Sequence, residues 1–191
     1  MSLVLTSGPA SEPVTVAEAK AHLRVDGTNE DTLIASLILT SRLHIETGLG
    51  LALITQSWRL LLDVWPGTKI LELPLRPLQS VEEVRVLAAD GSQETIEASA
   101  YLVDIAGTPS RLVRNGAIWP QPGQAANGIE IDFTAGYGAD ASDVPAPIRQ
   151  ALLLLVAHWY EHRDPIEIGS PTTVIPAVVS DLLEPYRTKR L

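Results

Sequence analysis

Thr55-Gln-Ser-Trp-Arg-Leu-Leu-Leu-Asp-Val64 sets Trp58, Leu60, Leu62 and Val64 at every second position, the period of a strand with one buried face. Just upstream, Leu33, Ile34, Leu37, Ile38, Ser41 and Ile45 recur at helical spacing, and Gly48 and Gly50 end the run. The chain therefore switches from helix to strand here. Downstream the strand signals continue: Ile70–Leu73, Val81–Leu87, Glu94–Glu97, Tyr101–Ile105, Arg111–Val113, Ala117–Trp119 and Ile129–Phe133. Asp90-Gly91 and Asn115-Gly116 supply tight turns between them, so pairing is expected to be mostly antiparallel.

Helical signals return at both flanks. Thr15-Val-Ala-Glu18 is a capping box, and it predicts a short helix through Leu23. Val144-Pro-Ala-Pro147 opens a helix predicted over Ile148–His162. Its middle, Leu152-Leu-Leu-Leu-Val156, is apolar on every side, which places it centrally or between subunits. Leu152, Leu153, Leu154, Leu155 and Trp159 are the expected core or subunit-packing residues. Arg163–Ile175 holds Pro165, Gly169 and Pro171 and reads as a loop or extended arm, followed by a short helix over Pro176–Glu184. The predicted class is α+β, a helical scaffold from both chain ends with a central antiparallel β-rich insertion. The parts are residues 1–52, the N-terminal helical part; 53–136, the insertion; and 137–191, the C-terminal helical part with a docking arm.

At 191 residues the chain is long enough for one cored unit with an insertion, and 46 % apolar residues are too many for a disordered chain. The absence of cysteine removes disulfides, thiolate metal sites and a cysteine nucleophile. The longest apolar run, Ala151–Ala157, is too short to span a membrane, and the first residues lack a signal-peptide pattern, so a soluble, unexported protein is expected. Fourteen basic residues face 23 acidic ones, a net charge of −9. Each third of the chain is acidic, which argues against tight binding to nucleic acid or to an anionic membrane. The one basic cluster is the tip, Arg187, Lys189 and Arg190.

His158-Trp-Tyr-Glu161-His162 matches H-x-x-E-H, with two imidazoles one helical turn apart. A zinc site needs a third ligand, and the only downstream glutamates are Glu167 and Glu184. The preferred reading is a helix end, where His162 and Arg163 meet the negative end of the dipole and Trp159 and Tyr160 pack. Asp26–Asp31 lacks the ligand spacing of a calcium loop, and Gly48-Leu-Gly50 and Gly136-Tyr-Gly138 lack the rest of any phosphate-binding motif. Trp58, Trp65, Trp119 and Trp159 are scattered and read as packing residues. No catalytic residue, metal ligand or cofactor is expected.

The order of segments resembles the head–tail connector (adaptor) proteins of long-tailed bacteriophages and gene transfer agents. The stretches that carry it are Val14–Asp26, Asp31–Gly48, Ala52–Trp58, Leu73–Val81, Phe133–Gly138 and Val144–His162. The resemblance implies a virion structural protein, not an enzyme, located in the particle neck and made in the bacterial host cytoplasm. It implies a homo-oligomeric ring, of about twelve subunits in the particle. Its implied partners are a portal protein and the next connector or stopper, with DNA only passing through the lumen and no membrane contact. In that class the helices form the ring body and the C-terminal segment reaches toward the portal. The implied portal-docking residues are Val178, Val179, Leu182, Leu183, Tyr186, Arg187, Lys189 and Arg190. The alternatives are a zinc-dependent peptidase built on His158, Glu161 and His162, and a binding module unrelated to phage.

Overall fold

The computed structural model describes residues 1–116, 118–162 and 175–187. Its contacts fall into two compact units, Met1–Ala10 with Gly50–Tyr137, and Ser11–Leu49 with Gly138–Leu191.

The first unit is built on strands. β2 (Gln56–Leu62), β4 (Leu78–Leu87) and β8 (Ile129–Ala135) form the middle of a five-stranded sheet, with β1 (Ser2–Ser7) and β5 (Gln93–Thr95) at its edges in the order β1-β2-β8-β4-β5. Every pairing is antiparallel, and β2 runs on β8 from Gln56↔Ala135 to Leu62↔Ile129. Period-two alternation does the sorting: Ile129, Ile131, Phe133 and Ala135 turn into the core, while Glu130, Asp132 and Thr134 take the other face. On that polar face Arg59 donates to Asp132 from one side, at 2.7 and 2.9 Å, and Arg85 from the other at 2.7 Å. Burial pushes the Asp132 carboxyl up, but the hydrogen bonds from Arg59 and Arg85 outweigh it and hold the group below the usual carboxylate value. A second sheet, ordered β3-β7-β6, joins β3 (Ile70–Glu72), β7 (Arg111–Arg114) and β6 (Tyr101–Asp104). Leu71, Leu112 and Tyr101 carry it onto the same core as Leu60, Val84 and Phe133. Gly136 must be glycine: its φ is 142°, and a Cβ there would sit 2.6 Å from the Thr55 nitrogen.

In this unit two features differ from the sequence expectation. Ser2–Ser7 is a strand within the stretch read as helical, because Leu3 and Leu5 fall opposite Leu60 and Trp58 and an edge strand needs only one partner. Conversely, of the strand read over Ala117–Trp119 the described residues Ile118 and Trp119 are irregular, and residue 117 lies outside the described residues. Trp119 is buried instead by its ring, and its Nε1 donates to the Ala100 carbonyl at 3.2 Å.

The second unit is helical. α1 (Val16–Leu23) starts on the predicted capping box, with the Glu18 amide on Thr15 Oγ1 at 3.1 Å and the Thr15 amide on Glu18 Oε2 at 2.8 Å. It ends at Arg24, in the left-handed region with φ 58°. α2 (Asp31–Leu49) buries Ile34, Ile38 and Ile45. α3 (Ala146–Glu161) packs against α1, α2 and α4 (Ala177–Leu183). Ile148, Ala151, Leu152, Leu155 and Val156 are its buried stripe. Leu153 and Leu154 are only half-buried, so α3 is two-faced within the single chain, not enclosed on every side as its sequence suggests.

Candidate connector surfaces

Between Thr32 and Leu49, α2 has two charged carboxylate or guanidinium side chains, Arg42 and Glu46. Both are buried. Arg42 Nη1 donates to Glu46 Oε2 and Arg42 Nε to Glu12 Oε2, each at 2.7 Å. The solvent face is therefore left to small and hydroxyl residues, Leu39, Leu43 and the imidazole of His44, and no Lys, Arg, Asp or Glu stands on that face between Thr32 and Leu49. Leu39 is 42 % exposed and Leu43, one turn on, 48 %. A surface helix normally puts charge outside and apolar residues inside; here the charges are inside and leucines stand out.

At the chain's end, α4 packs on α3 and spends its stripe there: Val179 and Leu183 are buried. A helix of seven residues is not stable alone, and the face of α3 supplies what it lacks. The docking arm read from the sequence thus does not include α4 as a free element: α4 is packed on α3. Val178 is exposed, Leu182 and Tyr186 are half-buried, and Arg187 is exposed with its Nε 3.3 Å from Glu184 Oε2. Lys189 and Arg190, with most of the predicted loop, lie outside the described residues.

His158 and His162 come together, ring centroids 4.8 Å apart. His162 Nδ1 sits 2.8 Å from the His158 carbonyl, and since a carbonyl only accepts, that nitrogen carries the proton and is turned away from any metal. Burial, and then the neighbouring His162, push the His158 imidazole below its ordinary value against the opposing pull of Glu161. The preceding ring, Trp159, meets His44 edge-on at 5.7 Å, and Tyr160 hydrogen-bonds Glu30. Among the described residues no group of three or more His, Cys, Asp or Glu side chains is placed to hold a metal ion.

Of the four scattered tryptophans, Trp65 and Trp119 meet, with centroids 4.5 Å apart. Nothing local in the sequence shows this pairing; it depends on the register of the second sheet.

The head completion protein family matches residues 12–188. The chain belongs to that family. Solved structures agree with it over the full length. A chain from the neck of an empty gene transfer agent particle, computed with C6 symmetry, is 31 % identical, with a TM-score of 0.84 over 100 % of this chain and 97 % of its own. A chain from the virion of a native gene transfer agent particle is 30 % identical, with a TM-score of 0.82 and the same coverage. A third, from the neck of a native particle computed with C12 symmetry, is 30 % identical with a TM-score of 0.80. A search of curated proteins finds no significant match. A head completion protein that shares its fold from end to end with components of particle necks is a head–tail connector, a structural part of the virion.

Proposed function

We propose that this head completion protein works as a ring in the neck of its particle, by assembly and not by catalysis. The observation that carries the reading is full-length similarity to chains of necks computed with C6 and C12 symmetry. The outer face of α2, free of Lys, Arg, Asp and Glu between Thr32 and Leu49, supports it, because a ring gives each copy a neighbour to cover Leu39 and Leu43. The partners are a portal protein on one side and the next connector or stopper on the other. The part of the C-terminal segment not spent on the core, exposed Val178 and Arg187 with half-buried Leu182 and Tyr186, contacts the portal, together with Lys189 and Arg190 of the sequence. DNA passes through the hole without being held; a subunit charge of −9 discourages phosphates from sticking.

The test is a pair of charge insertions, Leu39→Glu and Leu43→Glu. Each variant is expected to keep the wild-type melting temperature, since both side chains already face water, and to fail to enter the neck of assembled particles. Normal incorporation of the double variant would remove α2 from the ring contact.

A further inference from the structure

Lys69 and Arg114 stand directly opposite one another where β3 and β7 end. The register Ile70↔Val113 extends one step outward, and the Arg114 amide donates to the Lys69 carbonyl at 2.8 Å. Alternation puts both side chains on the sheet face that carries Leu71 and Leu112, which are buried in the core. Like charges facing each other across two strands are destabilising, and this chain has 23 carboxylates with which to avoid it. Elsewhere it does so. Arg42, Arg59, Arg85, Arg111 and Arg149 each grip a carboxylate. Lys69 and Arg114 form no ion pair among the described residues.

The two cations line a shallow pocket whose other walls include Trp65, Pro66, Thr68 and Trp119. Trp65 and Trp119 are locked by their own donors, to the carbonyls of Pro120 at 2.8 Å and Ala100 at 3.2 Å, so the aromatic wall is preformed. The residue before each ring is apolar and faces water: Val64 is 70 % exposed and Ile118 92 %. A rigid aromatic pair and two cations with no ion pair among the described residues line one pocket on an otherwise acidic protein.

We propose that this pocket docks an acidic polypeptide segment. One carboxylate bridges Lys69 and Arg114, and an adjoining apolar side chain lies against Trp65 and Pro66 of the same pocket. Nucleic acid is the weaker fit, because phosphate binding draws on runs of cations and here two stand within a strongly negative chain. In the connector reading the segment belongs to another protein of the neck. The inference rests on that reading for the owner of the segment alone.

The test uses the full-length protein and a short fluorescent peptide alternating glutamate and leucine, followed by fluorescence anisotropy. A peptide with glutamine for glutamate and a duplex DNA oligomer are the comparison probes. The glutamate peptide is expected to bind, and the glutamine version at least tenfold more weakly. Lys69→Glu and Arg114→Glu are each expected to lower affinity for the glutamate peptide at least tenfold. Lys69→Met relieves the like-charge opposition, so its melting temperature is expected to equal or exceed the wild type, which separates lost docking from lost folding. The proposal is overturned by no binding, by equal binding of the glutamine peptide, by indifference to charge reversal, or by DNA binding that Lys69→Glu abolishes. None of those results touches ring formation, so the connector reading stands or falls separately.

Discussion

Thr15 and Glu18 close the entry to α1 by satisfying each other's backbone donors. Thr15→Ala is expected to lower the unfolding free energy by about 1 kcal/mol, measured by urea titration at neutral pH. The backbone and side-chain hydrogen bonds of Thr15 are what hold Glu18 below its ordinary value. A depressed carboxylate stabilises the fold above its unfolded pKa and loses that contribution as pH falls through the folded one. The difference between wild type and Thr15→Ala is therefore expected to shrink in acid, and a difference that grew on acidification would contradict the cap. Asp132 sits between Arg59 and Arg85 and is likewise depressed. Asp132→Asn takes one carboxylate from a network in which Arg59 and Arg85 still share Glu130, and a loss of about 1 kcal/mol at neutral pH is expected from chemical denaturation.

At the scale of elements, α3 is the piece on which the helical unit closes, since α1, α2 and α4 all pack on it. Leu152→Asp places an unpaired carboxylate at a fully buried site and is expected to cost about 4 kcal/mol or more, enough to leave the protein insoluble or unfolded. Removal of residues 175–191 strips Val179 and Leu183 from α3, so the shortened chain is expected to melt at a lower temperature than the intact one. An unchanged melting temperature would mean that α4 does not belong to the unit. The elements differ in how far the chain alone discloses them. α1 is legible because both halves of its cap lie three residues apart, and the strands from Gln56 to Ala135 because their period is local. β1 is not, since Ser2–Ser7 becomes a strand only by finding Leu60 and Trp58 far along the chain. The two-faced character of α3 is hidden for the same reason: four successive leucines say that burial is wanted, and only the neighbours decide which ones receive it. The outer face of α2 could have been read earlier, since Arg42 and Glu46 are its sole Arg, Lys, Asp or Glu residues after Asp31 and lie one turn apart on the inner side. The Lys69–Arg114 pocket could not, because its members meet through sheet register.

On the scale of the whole molecule, composition and family point the same way. The net charge is −9, and the H-x-x-E-H motif ends a helix, where His162 Nδ1 is engaged by the His158 carbonyl. The head completion protein family spans residues 12–188, and the neck chains match both the helical and the strand-rich unit. The resemblance visible in the order of sequence segments spans about residues 14–163, in the helical flanks and in parts of the β-rich middle, and the structural matches cover the whole chain. Cryo-electron microscopy of particles purified from cells that make this chain tests the claim most directly. The expected map places a symmetric ring of this protein at the head–tail junction, with Leu39 and Leu43 of each copy against the next. Particles whose necks are complete without this chain would contradict it.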